Sequence, residues 1–282
     1  MKCAWDAFIH LLPMRFRDET DRLGREYLLE VRLRLGLPPE LVLINRSVKL
    51  QSLVTTEDLR QCIHYASQYS PWAAGTIGQG YITAPGGHRI GVFGRYSDCG
   101  DNRWTLQTAT MLCLRVARDF EGISRSAESL SGSVLIIGTP GSGKTTLLRD
   151  LIRQYSHIHI GNISVIDERE EIFPRYQDRL CFFPGDNTDV LSGCKKQIGI
   201  EWALRNMTPS VIAVDEITAK DDCEALLHAG WCGVKLLATA HAGNKKDLLS
   251  RPVYKPIIKH NLFQTLLIMQ PDRTWRAERI NL

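Results

Sequence analysis

The sequence predicts an α/β fold, a central and mainly parallel sheet preceded by a smaller α+β domain. Three observations carry that prediction. Short apolar runs alternate with helical stretches beyond residue 132, a glycine-rich loop joins the first of those runs to a helix, and period-2 strands separated by turn signals fill the first 118 residues. At 282 residues the chain exceeds the usual single core, so two domains are expected, 1–120 and 133–282, with 121–132 as a linker.

In order along the chain, Leu28 to Leu35 alternates Glu30, Arg32 and Arg34 with Val31, Leu33 and Leu35, the period of a half-buried strand. Leu41 to Ile44 and Val48 to Leu50 flank an Asn45-Arg46-Ser47 turn. Thr55-x-x-Asp58 then opens an amphipathic helix to about Tyr69. Tyr81 to Thr83 and His88 to Phe93 read as strands around Pro85-Gly86-Gly87. Asp119 to Gly132, with Gly122, several serines and two glutamates, is polar and predicts a linker with about one helical turn. Val134 to Ile137, Ile163 to Ile166, Val211 to Val214 and Leu236 to Thr239 are the strands of the parallel sheet.

Hydrophobic content of 44% with 23% charged residues excludes wholesale disorder and a fibrous repeat. A net charge of +4 falls well short of a dedicated nucleic-acid binder. Eight cysteines are scattered without a CxxC pair, mostly inside apolar stretches, and are expected to be reduced core thiols of a cytoplasmic chain. No window approaches the ~18 apolar residues of a membrane span, and Asp6 interrupts any secretory core, so a membrane would be reached only through partners.

Gly138-Thr139-Pro140-Gly141-Ser142-Gly143-Lys144-Thr145 fits G-x-x-x-x-G-K-[ST] between a strand and a helix running to about Tyr155, and Thr146 follows it. Its glycines let backbone N–H groups curl around phosphates, and the helix N-terminus adds its dipole. ATP is the expected ligand, with Lys144 on the β- and γ-phosphates and the Thr145 hydroxyl on Mg²⁺. Such a loop needs a carboxylate at the end of another buried strand. Val211-Ile212-Ala213-Val214-Asp215-Glu216 provides Asp215 for the metal side and Glu216 to orient or deprotonate the attacking water, so hydrolysis is expected.

Val165-Ile166-Asp167-Glu168-Arg169-Glu170-Glu171 also follows a strand; it either faces the nucleotide or is a solvated charged loop. Ala238-Thr239-Ala240-His241 places a hydroxyl and an imidazole where they could sense the γ-phosphate. His157 and His159 lack Cys or carboxylate companions at ligand spacing, and no zinc site is expected there.

The order of these motifs resembles the secretion-superfamily ATPases of type II and type IV systems. In that family a P-loop is followed by an Asp box, a Walker B strand and a His box, here Gly138 to Thr145, Ile166 to Glu171, Val211 to Glu216 and Ala238 to Gly243. Within it the chain is similar to the stage III sporulation AA branch, through Glu30-Val31-Arg32-Leu33-Arg34-Leu35-Gly36, Gly86-Gly87-His88-Arg89-Ile90-Gly91 and Thr145-Thr146-Leu147-Leu148-Arg149-Asp150. Two departures stand out. Thr218, Ala219 and Lys220 follow Asp215-Glu216-Ile217 where the family has Gly-Arg, and Asp167-Glu168 stands where secretion ATPases show Glu-Asp.

The resemblance implies a RecA-like P-loop NTPase domain working as an ATP-hydrolysing motor in a ring, with a hexamer expected. Glu168, Glu171 and His241 join Glu216 and Lys144 as its candidate catalytic residues. Its N-terminal domain would close over ATP and contribute an arginine, Arg89 first, with Arg95 and Arg115 as alternatives. It further implies a role in endospore formation, at the cytoplasmic face of the membrane, with membrane channel proteins of a mother cell to forespore complex as partners. Two other classes remain open from sequence: a nucleic-acid-stimulated ATPase, disfavoured because no aromatic residues interleave with a basic run, and a nucleotide-gated scaffold with negligible turnover.

Overall fold

A computed structural model describes residues 1–67, 76–100, 103–127, 132–158 and 161–280. The chain divides into two compact units, Met1–Asp119 with Arg175–Cys181, and Phe120–Pro174 with Phe182–Leu282.

The first unit is a six-stranded antiparallel sheet of β1 (Leu28–Arg34), β2 (Glu40–Leu43), β3 (Ser47–Lys49), β4 (Tyr81–Ala84), β5 (His88–Asp98) and β6 (Trp104–Arg115), in spatial order β3-β2-β1-β6-β5-β4. Alternation does what it predicts: Val31 and Leu33 of β1 are buried with Ile90, Val92, Leu112 and Leu114 in one core with Phe8, Phe16 and Leu59 of the helices. Glu30, Arg32 and Arg34 stay on the other face, where Arg34 pairs with Glu40 at 2.7 Å. The helix Thr56–Ser67 starts on the expected capping box, Thr55 N donating to Asp58 Oδ2 (2.6 Å) and Asp58 N to Thr55 Oγ1 (3.3 Å). Its expected end at Tyr69 lies outside the described residues.

The glycine pair before His88 has a structural reason. Gly86 has φ +78, and a Cβ there would come 2.4 Å from Ala4 Cβ. The fully buried His88 ring then ties the unit's two ends together: Nε2 lies 2.9 Å from Ala4 O, and Nδ1 accepts from Ala117 N at 3.0 Å. That makes the ring the neutral Nε2–H tautomer.

The second unit is a seven-stranded sheet of β7 (Val134–Gly138), β8 (Ile163–Asp167), β11 (Thr188–Ser192), β12 (Val211–Ile217), β13 (Lys235–His241), β14 (Thr265–Met269) and β15 (Trp275–Arg279), in order β11-β8-β12-β13-β7-β14-β15. All pairs are parallel except β14 with β15. β7, β8 and β14 are buried at every residue, as continuous apolar strands of a parallel sheet covered on both faces should be. The sequence reading named four of these strands; β11, β14 and β15 are added by the structure. Between β8 and β11 a short hairpin, β9 (Arg175–Tyr176) with β10 (Arg179–Leu180), belongs to the first unit.

The stretch read as a linker packs on the second unit where it is described. Asp150, buried in the helix Lys144–His157, accepts from Gly122 N (3.0 Å), Ser124 N (2.8 Å) and Ser124 Oγ (2.8 Å). Arg153 Nη2 donates to Phe120 O at 2.8 Å, and Arg125–Ala127 forms a 3-10 turn. Residues 128–131 of that stretch lie outside the described residues. The eight cysteines are free thiols, with Cys62 and Cys223 buried and Cys99 and Cys232 exposed, so only part of the set is core.

Burial lowers the His88 imidazole from the ordinary 6.5 to about 4. The unfolded chain therefore binds the proton first as pH falls, so this contribution is present above about 6.5 and is lost on descending to about 4, on the order of 3 kcal/mol in all. Denaturant unfolding from pH 7 to 4 should show the first unit losing stability across that window, with a flatter pH slope in His88→Gln. An equal slope in both proteins would remove His88 from the account.

Candidate functional site

The candidate site forms at the carboxyl ends of β7, β13, β12 and β8, in that spatial order. β7 ends at Gly138, and the chain turns through 139–143 into the helix Lys144–His157. Gly143 sits at φ 99, a left-handed conformation that glycine adopts without strain. A Cβ on Gly138 would lie 2.5 Å from Ser142 Oγ and 2.8 Å from Met269 Cβ, so glycine alone lets the loop close down on β14.

Three strand ends meet through short polar contacts. Thr145 Oγ1 donates to Asp215 Oδ2 at 2.6 Å. Thr239 Oγ1 donates to Asp215 Oδ1 at 2.5 Å and accepts from Glu216 N at 2.8 Å. Lys144, nearly buried, donates to Thr139 O at 3.0 Å and lies 3.2 Å from His241 Nδ1. His241 Nε2 is in turn 2.5 Å from Glu216 Oε1, and Arg169 Nη1 donates to Glu216 Oε2 at 3.0 Å. Because a lysine ammonium only donates, His241 accepts at Nδ1 and carries its proton at Nε2, facing the carboxylate. Lys144, His241, Glu216 and Arg169 thus form one continuous chain. Burial lowers the Lys144 ammonium below the ordinary lysine range, with the charges of Asp215 and Glu216 opposing the shift.

Glu216 is reached through an irregularity. The register of β12 on β13 slips between Val214 and Ile217, and Glu216 adopts φ 54. A non-glycine residue in that region costs about 1–2 kcal/mol, which the bond from its N–H to Thr239 helps offset.

The Asp box divides into roles. Asp167, 2% exposed, accepts from Glu171 N (2.9 Å), Ile172 N (3.0 Å) and Phe173 N (2.8 Å). Burial still pushes its carboxyl up to about 6, against those three bonds. Asp167 is a loop-former. Arg149 reinforces the same loop, donating to Glu171 O at 3.0 Å and to Ile172 O, with its guanidinium 4.5 Å over the Phe182 ring. Glu168 Oε2 is held at 2.5 Å by Lys196, whose side chain is 8% exposed. Asp167, Glu168, Arg169, Glu171, Lys196, Asp215 and Glu216 line one small cleft.

The structure therefore gathers Gly138 to Thr145, Asp215, Glu216 and His241, with the Asp box beside them. Thr146, inside the helix, lies just beyond that group. The hydroxyl of Thr239, which the sequence aimed at a phosphate, is instead used by Asp215 and Glu216. Thr218, standing where the resemblance has glycine, donates through its N–H to Asp222 Oδ2 (3.0 Å) at the start of the helix Lys220–Trp231, and Lys220 pairs with Glu224 on that helix's exposed face (3.2 Å). Arg89, Arg95 and Arg115 lie in the first unit, on β5 and β6; Arg89 stacks 4.2 Å over Tyr81, and Arg115 lies 3.8 Å from Glu30. His157 ends its helix, and His159 lies outside the described residues. Sequence reasoning missed Lys196 and the pairing of Arg169, since neither falls in a motif that assigns it a partner.

A polyphosphate with a divalent cation fits this donor set. Ser142 Oγ is buried beneath the loop with no hydrogen-bond partner among the described residues, as an atom awaiting an acceptor would be. Thr145 and Asp215 converge as one hydroxyl and one carboxylate, the oxygen ligands Mg²⁺ takes.

A parallel core with the phosphate-loop strand separated from the acidic strand by a third, which brings the histidine, is the RecA-like fold of the secretion ATPases. The pilus retraction motor PilT, in a structure with bound ADP, is similar over 89% of this chain and 75% of its own, at TM-score 0.58 and 18% identity. The ATPase DotB of Legionella pneumophila is similar over 94% of this chain and 78% of its own, at TM-score 0.53 and 17% identity. The chain belongs to the sporulation stage III protein AA family, whose pattern matches residues 8–277. It is 34% identical to stage III sporulation protein AA of Bacillus subtilis (strain 168) over 276 residues, 91% of this chain and 88% of that one.

Removing the Thr239 hydroxyl should leave Glu216 N unsatisfied. Thr239→Val, which keeps the volume, is expected to cost about 1–3 kcal/mol in denaturant unfolding; an unchanged midpoint would show that the bridge holds nothing.

Proposed function

We propose that this protein is an ATP-hydrolysing motor of the secretion-ATPase type that serves a channel complex between mother cell and forespore. The observation that carries this reading is the contact chain from Lys144 through His241 to Glu216, beside the Thr145–Asp215 pair. It puts a phosphate-binding cation, a pair of metal-side oxygens and a candidate base within one set of strand ends.

Backbone N–H groups of 139–145 and the Lys144 ammonium hold the β- and γ-phosphates, and Mg²⁺, held by Thr145 and Asp215, offsets their charge when bound. Glu216 takes a proton from the water whose oxygen adds to the γ-phosphorus. Lys144 compensates charge as the bond from that phosphorus to the β-phosphate oxygen breaks and ADP leaves. Glu216 is preferred to Asp167 and Glu168 because it alone of the three joins the contact chain from Lys144 through His241, while Asp167 is taken up by three backbone N–H groups.

Membership of the sporulation family supports a place at the cytoplasmic face, docked on membrane partners; among the described residues no helix is long and apolar enough to cross a membrane. Family membership and the secretion-ATPase fold support the sporulation role and assembly into a ring, read as a hexamer.

Purified protein should release phosphate from Mg·ATP. Lys144→Ala should lose nucleotide binding or turnover, and Glu216→Gln should keep ATP binding while turnover drops by about 100-fold or more. Equal slow turnover in wild type and Glu216→Gln would reduce the protein to a nucleotide-gated scaffold.

A further inference from the structure

Resting on the ATPase reading, we infer that Arg169 is the residue that distinguishes a nucleoside triphosphate from a diphosphate, by exchanging Glu216 for the terminal phosphate. Both oxygens of the Glu216 carboxylate are engaged, Oε1 by His241 at 2.5 Å and Oε2 by Arg169 at 3.0 Å. A carboxylate so held is a weaker base toward a water, because each oxygen already shares its charge with a donor. The His241 side is bound into the chain from Lys144 and is the fixed half. The Arg169 side is the half that can let go.

Three features point that way. The guanidinium is 57% exposed, and an ion pair that open to solvent holds weakly. The backbone beneath it is anchored: Asp167 and Arg149 bind the residues that follow, from Glu171 to Phe173, so the side chain can swing while its root stays fixed. And the cleft is lopsided in charge. Its other cation, Lys196, is buried against Glu168, with Asp222 at 4.0 Å behind it. Arg169 is the solvent-open cation of the cleft, beside Asp215, Glu216 and Glu171.

A terminal phosphate carries more negative charge than a carboxylate and accepts a guanidinium through two parallel N–H bonds. Its arrival draws Arg169 off Glu216 Oε2 and releases that oxygen to take the water. A diphosphate ends one phosphate short and leaves the Arg169–Glu216 pair closed. The same exchange thus reads the third phosphate and arms the base.

The test is equilibrium titration of the full chain with Mg·ADP and with a non-hydrolysable Mg·ATP analogue, together with steady-state phosphate release. It is run on wild type, Arg169→Ala and Arg169→Lys, with thermal unfolding to confirm the fold of each. Arg169→Ala should bind the triphosphate analogue about tenfold more weakly, bind ADP within about twofold of wild type, and turn over about tenfold more slowly or worse. Arg169→Lys, which keeps the charge but loses the fork, should fall between. Faster turnover in Arg169→Ala would make the arginine a simple brake on Glu216 and overturn the inference. Equal weakening of both nucleotides, or no change in either, would also overturn it while leaving the ATPase reading intact. Wild type that binds neither nucleotide would sink both.

Discussion

Everything in the candidate site depends on one topological constraint: β13 lies between the strand that delivers the phosphate loop and the strand that delivers the acids. Two strand spacings separate β7 from β12, about 10 Å. The Thr145–Asp215 bond crosses that gap directly, whereas Lys144 and Glu216 are joined through the end of β13. Thr239 and His241, two residues apart, point to one face of that strand and divide the task. Thr239 fixes the carboxylate of Asp215 and the backbone of Glu216, while His241 spans from lysine to glutamate.

The same logic explains why so few of the surrounding charges are available for chemistry. A buried carboxylate is costly unless its oxygens are satisfied. Asp167 meets that demand with three backbone N–H groups and Asp150 with the chain at Gly122 and Ser124, while the half-buried Glu168 pairs with Lys196. The run Thr145 to Asp150, which carried the narrower family resemblance, therefore holds together segments that come from three places in the sequence. Thr145 reaches the acidic strand, Arg149 the Asp box loop and Asp150 the segment leading in from residue 120. One helix turns its first two turns into a frame.

That division also explains which parts of the protein were legible in the sequence. Strand ends carrying Asp215, Glu216 and His241 announce themselves, because an apolar run that stops at a polar residue marks both the strand and its edge. The phosphate loop is legible for a similar reason: its glycines are fixed by backbone geometry over eight consecutive residues. Lys196 is not legible, since its partner lies 28 residues away and the pairing exists only once β8 and the helix Lys196–Asn206 are in place. β6 escaped because the first half of it, Trp104 to Thr110, is mostly exposed and shows no apolar alternation to read. β14, Thr-Leu-Leu-Ile-Met, is too short and too uniformly apolar to be told from a buried helix segment by periodicity. The hairpin Arg175–Leu180 lies within the stretch of sequence that builds the second unit, yet it belongs to the first, and local pattern holds no trace of that exchange.

The position of the backbone strain bears on which acid would handle water in the proposed hydrolysis. Of the two acids at the end of β12, Glu216 is the one with a positive φ, and it occupies a slip in an otherwise regular parallel ladder. Strained conformations persist where the surroundings over-determine them, and here the determinant is Thr239 beneath and His241 beside. A regular strand would have sent Asp215 and Glu216 to opposite faces of the sheet, with only one of them over the phosphate loop. The slip lets consecutive residues serve the same site, Asp215 at Thr145 and Glu216 at His241. A carboxylate needed only for charge could have been placed without strain; two adjacent carboxylates with separate partners could not. That is the physical case for giving the metal to Asp215 and the water to Glu216.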